Sequence, residues 1–149
     1  MLARNNMSAF WEDPTWILLW PEGTTLEFMI EQCAKRQARN MLRDREQTRH
    51  VKAVDPDTGK LVGYARWILP SDHAATRDRV LQWGEGQVPD VSADEKRRFE
   101  ELASSAIWKA RSGVGGMDDK NNAVMDPILA ERPYISTLCR QYYSPIACF

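Results

Sequence analysis

The segment covering residues 48–69 constrains the fold more than any other part of the sequence. Residues 48–55 alternate in character along the chain, and residues 61–69 form a largely apolar run that ends at Pro70. Between them, Asp55-Pro56-Asp57-Thr58-Gly59 supplies turn residues, because proline fixes φ and glycine accepts a positive φ. Two such runs around a turn predict a β-hairpin. The two-residue period of a strand divides the second run between two faces, with Tyr64, Arg66 and Ile68 on one and Ala65, Trp67 and Leu69 on the other.

Helical patterns precede the hairpin. Residues 1–20 predict a short helix rich in aromatic side chains, divided at Pro14. Thr24 and Glu27 have the spacing of a capping box, and apolar residues at steps of three and four predict a helix from there to about Glu46. The opposite face of this helix is basic, and we interpret it as a solvated surface rather than a site for phosphate or an acidic partner. Its members are Lys35, Arg36, Arg39, Arg43 and Arg45.

Mainly helical patterns follow the hairpin, with one further strand. Residues 74–83 predict a short helix that ends at Gly84. A second capping box, Ser92 and Glu95, begins a helix whose apolar face reaches residue 110 and which stops at Gly113. Residues 126–131 predict a brief helix and residues 134–138 a third strand. This order of elements predicts an α+β fold, and 149 residues suffice for a single domain over 1–149.

Composition narrows the classes of function. The formal net charge is -1, which gives no support for nucleic acid as the main partner. No uncharged apolar run approaches the ~18–20 residues of a membrane helix, and the first ten residues lack the apolar core of a secretory signal. Three widely spaced cysteines form no CxxC pair, so we expect reduced thiols and no metal site. The predicted location is cytoplasmic, with no membrane partner.

The hairpin also carries a family resemblance. A DxxTGxxVGYAxW-like pattern is matched by Asp55, Thr58, Gly59, Val62, Gly63, Tyr64, Ala65 and Trp67. With helices before it and Pro133-Tyr134 after it, the chain resembles the fungal GNAT-type acetyltransferase superfamily from about residue 7 to residue 138. The resemblance implies a partial GNAT-like fold, its acceptor-side portion: two N-terminal helices, the hairpin, a helical insertion and a short third strand.

The same resemblance implies an acetyl-CoA loop that the sequence lacks. In the family, a [Q/R]xxGx[G/A] motif after the fourth strand holds the pyrophosphate on backbone N–H groups. Here residues 139–145 read CRQYYSP and contain no glycine, although close approach of backbone to phosphate requires it. Residues 110–115 reproduce the two glycines, but they follow a predicted helix rather than a strand. We therefore expect no cofactor.

The candidate site residues lie on and beside the hairpin. We predict His73 as a general base just past the second strand, with Arg66 and Tyr64 orienting a substrate oxygen. Trp67, Trp20 and Trp16 are the predicted substrate-binding residues of an apolar cavity. A structural role remains the alternative for each: a surface histidine, a solvated arginine and core aromatic residues.

Three functions stay open at this point. The first is a cofactor-free isomerase or cyclase that acts on, or simply binds, a small apolar metabolite. The second is an acetyltransferase-like protein that retains some acyl-CoA binding. The third is a non-catalytic binding or assembly protein that dimerises through the unpaired edge of the third strand. Loss of the cofactor half would expose apolar area, so we expect a homodimer in any of the three.

Overall fold

The computed structural model describes residues 1–70, 76–77, 80–116, 118–131 and 136–137, and the predicted hairpin forms two neighbouring strands of its main sheet. Strand β1 (Thr48–Val54) pairs antiparallel with β2 (Leu61–Ile68), with a register shift between Ala53 and Val54. In the turn, the Asp55 carboxylate accepts hydrogen bonds from the backbone N–H groups of Asp57 and Thr58. Gly59 adopts a φ of 67°, as the turn requires. The hairpin prediction is confirmed.

Short strands follow the hairpin where the sequence predicted a helix. Strand β3 (Thr76–Arg77) pairs with β4 (Val80–Leu81) in a separate two-stranded sheet, so the helix predicted over residues 74–83 is wrong wherever this stretch is described. A short 3-10 turn, Gly84–Gly86, comes next. Strand β5 (Ser136–Thr137) pairs antiparallel with β2 and completes a sheet of order β1-β2-β5. The third strand is therefore confirmed over these two residues, and the fold is α+β.

Three helices precede the sheet. Helix α1 (Leu2–Trp11) ends before Asp13, whose side chain accepts a hydrogen bond from the N–H of Thr15 and caps α2 (Pro14–Ile17). The division at Pro14 is confirmed. Helix α3 (Leu26–Leu42) begins one residue later than predicted, because Thr25 caps it while the Thr24 hydroxyl donates to the Pro21 carbonyl. It ends before residue 46 because the backbone at Arg43 is extended.

The second predicted capping box is confirmed. Helix α4 (Ala93–Ser104) begins with reciprocal hydrogen bonds between Ser92 and Glu95. The helix stops well short of Gly113, because backbone groups beyond it pair elsewhere in the fold: the Ile107 N–H donates to the Gln32 side chain and the Arg111 N–H to the Leu19 carbonyl. Helix α5 (Asp119–Glu131) starts earlier than predicted and contains Pro127.

The hydrophobic core lies mainly among the helices. Met7, Met29 and Cys33 are almost fully buried between α1 and α3. Trp16, Trp20 and Trp108 join them, with edge-to-face contacts at ring-centroid distances of 5.1 Å for Trp16–Trp20 and 5.0 Å for Trp20–Trp108. The aromatic residues of α2 and the segment after α4 therefore tie the N-terminal helices to the rest of the core.

One member of the predicted basic face lies inside the protein. Arg36 is only 4% exposed, and its guanidinium lies 4.5 Å from the ring centroid of Trp108. The solvated-face interpretation is therefore wrong for this residue. A guanidinium is weakly hydrated and stacks on aromatic rings, so it enters such a position at lower cost than an ammonium group would.

The packing of α1 on α3 predicts a large cost for truncating Met29. Met29→Ala should lower the free energy of unfolding by about 2–5 kcal/mol, because the substitution leaves a cavity in a filled core. Urea denaturation followed by circular dichroism measures this. Met125→Ala in α5 is the matched control, since Met125 is 38% exposed and its truncation should change stability by less than about 0.5 kcal/mol. Equal effects in the two variants would contradict the assigned core.

Candidate functional site

A cleft of about 730 Å³ opens beside strand β1. Apolar side chains from three parts of the chain form most of it: the start of α1, the end of α3 and the hairpin. Its polar members are His50, Lys52, Tyr64 and Glu85. A volume of this size lies within the range of small-molecule sites, which are mostly apolar with a few placed polar groups.

The lining residues show where the cleft lies relative to the sheet. His50, Val51 and Lys52 all border it. Successive side chains of a strand point to opposite faces, so a cleft that contacts three in a row must lie against the edge of the strand. Strand β2 occupies the other edge of β1, and the cleft therefore lies along the outer edge.

Different elements cover the two faces of the sheet beside this edge. On one face Tyr64 packs against the helical core. On the other face Trp67 contacts Trp83, with ring centroids 5.9 Å apart, and Gly86 approaches the side chain of Arg49. Leu2 of α1 and Trp83 both border the cleft. The helices and the 83–86 segment thus form its two walls.

Arg49 anchors the 83–86 wall. Its side chain is completely buried and donates hydrogen bonds to the backbone carbonyls of Gln82, Glu46 and Thr48, at 2.9, 3.1 and 2.8 Å. A Cβ atom added at Gly86 would lie 3.1 Å from Cβ of Arg49, which explains why the wall carries glycine there. The charge of Arg49 is dispersed over carbonyl dipoles, which is how a buried guanidinium is stabilised.

The polar centre of the cleft is a pair of side chains on adjacent strands. The hydroxyl of Tyr64 lies 2.6 Å from Nδ1 of His50, and the two rings are nearly parallel, with centroids 5.9 Å apart. In the antiparallel register His50 is opposite Arg66, and Lys52 is opposite Tyr64, so the pair is a diagonal contact on one face. Both members are held on strands rather than on loops, which fixes their geometry.

Both members of the pair are neutral at pH 7. Burial, followed by the positive charge of Arg66, lowers the pKa of His50 to about 4. Burial also raises the pKa of Tyr64 to about 12, although the charge of Arg66 acts in the opposite direction. A neutral imidazole beside a neutral phenol forms one shared hydrogen bond whose proton position depends on the histidine tautomer.

The hydrogen bond within the pair can form in either direction. The backbone carbonyl of Met41 raises the pKa of His50, a smaller effect than burial, and Nε2 is buried without a hydrogen bond to any described residue. In the tautomer with its proton on Nε2, Nδ1 accepts from the Tyr64 hydroxyl. The phenol oxygen then has lone pairs left to accept a hydrogen bond from a ligand.

Arg66 lies behind the pair rather than in the cleft. It is 5% exposed and, with His50 and Tyr64, borders a small separate void against α3. Arg66 lies close to Tyr64, as expected for two residues on the same face of β2. The structure thus brings Tyr64 and Arg66 together as predicted, with Arg66 acting on the charge state of His50.

The other predicted site residues lie elsewhere. Trp67 is on the opposite face of β2, and Trp16 and Trp20 are buried in the helical core; none of the three borders the large cleft. His73 lies outside the described residues. The sequence reasoning missed His50. Counting back from the turn would have placed His50 opposite Arg66, on the face that carries Tyr64.

Two further properties concern the described residues alone. No three His, Cys, Asp or Glu side chains among them are grouped where they could hold a metal ion. None of the helices in these ranges has the length and apolar character needed to cross a bilayer.

The chain resembles part of a longer protein. No family model matches the chain, and no solved structure matches it significantly. The chain is similar to Ubiquitin-associated domain-containing protein 1 from Gallus gallus, with 30% identity over 111 residues that cover 69% of this chain. The matched part is 27% of that protein, so the chain spans only a minor share of its length. The similarity concerns one part of a longer relative, and no family is assigned from it.

The lowered pKa of His50 makes the stability depend on pH. The unfolded chain binds more protons than the folded protein between pH 6.5, the ordinary pKa of histidine, and about 4. The contribution of His50 is therefore fully present above pH 6.5 and is lost as the pH falls through this window. His50→Phe should flatten the fall in unfolding free energy measured by urea titration across it.

A proton NMR titration checks the same property directly. In His73→Asn, which leaves His50 as the single histidine, the ring signal should titrate with a midpoint near pH 4. A midpoint near 6.5, the ordinary histidine value, would contradict the buried neutral pair.

Proposed function

We propose that the cleft binds a small, mostly apolar molecule and that Tyr64 and His50 move a proton on it without any acyl-CoA, as in a cofactor-independent isomerase or cyclase. The observation that carries this proposal is the 2.6 Å contact between the Tyr64 hydroxyl and His50 Nδ1 on the wall of the cleft of about 730 Å³. A cytoplasmic location, inferred from the sequence, is part of the same proposal.

The pair would act as a proton relay. A hydroxyl or activated C–H group of the ligand gives its proton to the Tyr64 oxygen as the tyrosine passes its own proton to Nδ1 of His50. With a pKa of about 4, the imidazole holds that proton only transiently. Isomerisation and cyclisation return each proton they remove, so the imidazole can give this proton back within the same turnover.

The resemblance to GNAT-type acetyltransferases is a second and weaker argument for this proposal. Helices followed by an antiparallel arrangement in which β5 pairs with β2 agree with the element order that the resemblance implies. The family's acyl-CoA loop would correspond to the stretch after the third strand of this chain. That stretch, residues 139–145, lies outside the described residues. The absence of glycine in that stretch remains the reason to propose chemistry without a cofactor.

Occupation of the cleft is testable with a pair of matched variants. Val54 borders the cleft and is 42% exposed, whereas Val62 is 59% exposed on the same hairpin and does not border it. Ligand-observed NMR with a set of small aromatic and alicyclic fragments should therefore show at least about tenfold weaker binding to Val54→Trp and unchanged binding to Val62→Trp, because only the former fills the cleft. Equal binding to both variants would place the fragments elsewhere.

The proton relay is tested with a fragment whose C–H protons exchange only slowly in water alone. Exchange of the α protons of bound cyclohexanone into D2O should be slowed about 10²–10⁴-fold in Tyr64→Phe relative to the wild type, with fragment affinity reduced much less. His50→Phe should slow the exchange as well. Full exchange rates in both variants would remove the pair from the chemistry while leaving the binding function intact.

The two alternative functions make different predictions. Residual acyl-CoA binding would appear as micromolar affinity for acetyl-CoA in calorimetry, and we expect binding to be absent or weaker than this because residues 139–145 contain no glycine. An assembly function through the edge of β5 would appear as a homodimer by light scattering combined with no fragment binding in the cleft. We expect a dimeric mass together with fragment binding.

A further inference from the structure

The outer edge of β1 offers backbone groups to the cleft. Strand β1 pairs with β2 alone among the described residues, and no backbone hydrogen bond joins residues 51–53 to any other described segment. In an antiparallel pair, alternate residues direct both N–H and C=O away from the partner strand. The cleft therefore combines apolar walls with a short row of backbone donors and acceptors, which a ligand with amide groups beside its apolar side chains would pair with.

Two features restrict what this edge can accept. Lys52 is exposed in the middle of the open stretch, and the register shift between Ala53 and Val54 bends the strand just beyond it. Charged side chains and bulges on an edge oppose the addition of a long, flat strand from a second copy. The open stretch therefore suits a segment of about three residues.

The charges around the cleft favour a ligand with two charged ends. Lys52 and Glu85 carry opposite charges, both are exposed, and both border the cleft. No ion pair joins them to each other in the described structure. A short peptide with free termini carries one positive and one negative end, which matches this pair, and its apolar side chains match the walls formed by Leu2, Leu61 and Trp83.

We infer that the ligand class of this cleft is a short, extended, apolar peptide that adds to the outer edge of β1 along residues 51–54. Backbone hydrogen bonds to the strand supply recognition that does not depend on sequence, and the apolar walls select the side chains. The inference rests on the proposed function, since it names the substrate class of the same cleft. An amide N–H or terminal amine of the peptide would then be the donor to the Tyr64 oxygen.

The test uses the tripeptide Val-Leu-Val and its analogue methylated on the amide nitrogen of the leucine. Methylation removes one backbone donor and blocks approach to a strand while leaving the side chains unchanged. In nitrogen–proton correlation NMR of the full chain, Val-Leu-Val should shift the amide signals of residues 51–54, and the methylated analogue should bind at least about tenfold more weakly. Acetylation and amidation of the termini should weaken binding at low ionic strength and less at high salt.

Matched variants separate this inference from the proposed function. Val54→Trp should abolish peptide binding and Val62→Trp should leave it unchanged. Equal affinity for the methylated and unmethylated peptides, or no binding of either, would overturn the inference, whereas fragment binding in the same cleft would leave the proposed function standing. If neither fragments nor peptides bind, both fail together. Peptide binding with unchanged proton exchange in Tyr64→Phe would retain the inference and remove the relay.

Discussion

The register between β1 and β2 is the constraint on which the candidate site depends. The turn sets it: Asp55 closes the loop by donating its backbone N–H to the Lys60 carbonyl, and the positive φ of Gly59 lets the chain reverse. A slip of one residue would turn every side chain of β1 to the other face. His50 would then leave the face that it shares with Tyr64, and Arg49 would lose the carbonyls that surround it.

Buried guanidinium groups shape the protein around that sheet. Arg49 fixes the segment that forms one wall of the cleft, and Arg36 stacks on Trp108 in the helical core. Burial lowers the pKa of His50, and the charge of Arg66 lowers it further. Removing one partner of a buried charge costs far more than the net stability of the interaction, because the other group is left without compensation. All three arginines therefore support the fold, and Arg66 also affects the charge state of the site.

Local signals in the sequence were sufficient for the hairpin and for the start of α4, because a turn and a capping box are encoded within a few residues. They failed where distant contacts decide. The spacing places Arg36 on a basic helical face, but the side chain is buried and contacts Trp108, which lies far along the chain. His50 carries no local motif, and only its pairing partner on the next strand shows that it meets Tyr64. Residues 76–77 and 80–81 pair as two short strands that helical spacing did not reveal.

The open strand edge and the neutral histidine–tyrosine pair have a common physical basis. Partial burial keeps both side chains uncharged, and the same low-dielectric setting strengthens any hydrogen bond that a ligand makes with the strand or with the phenol oxygen. A ligand that fills the cleft displaces water from the β1 edge and so increases both effects. Exclusion of water should therefore raise the affinity for a ligand, but it also disfavours the charged imidazolium that a proton transfer to His50 forms, so binding and proton transfer make opposite demands on the cleft.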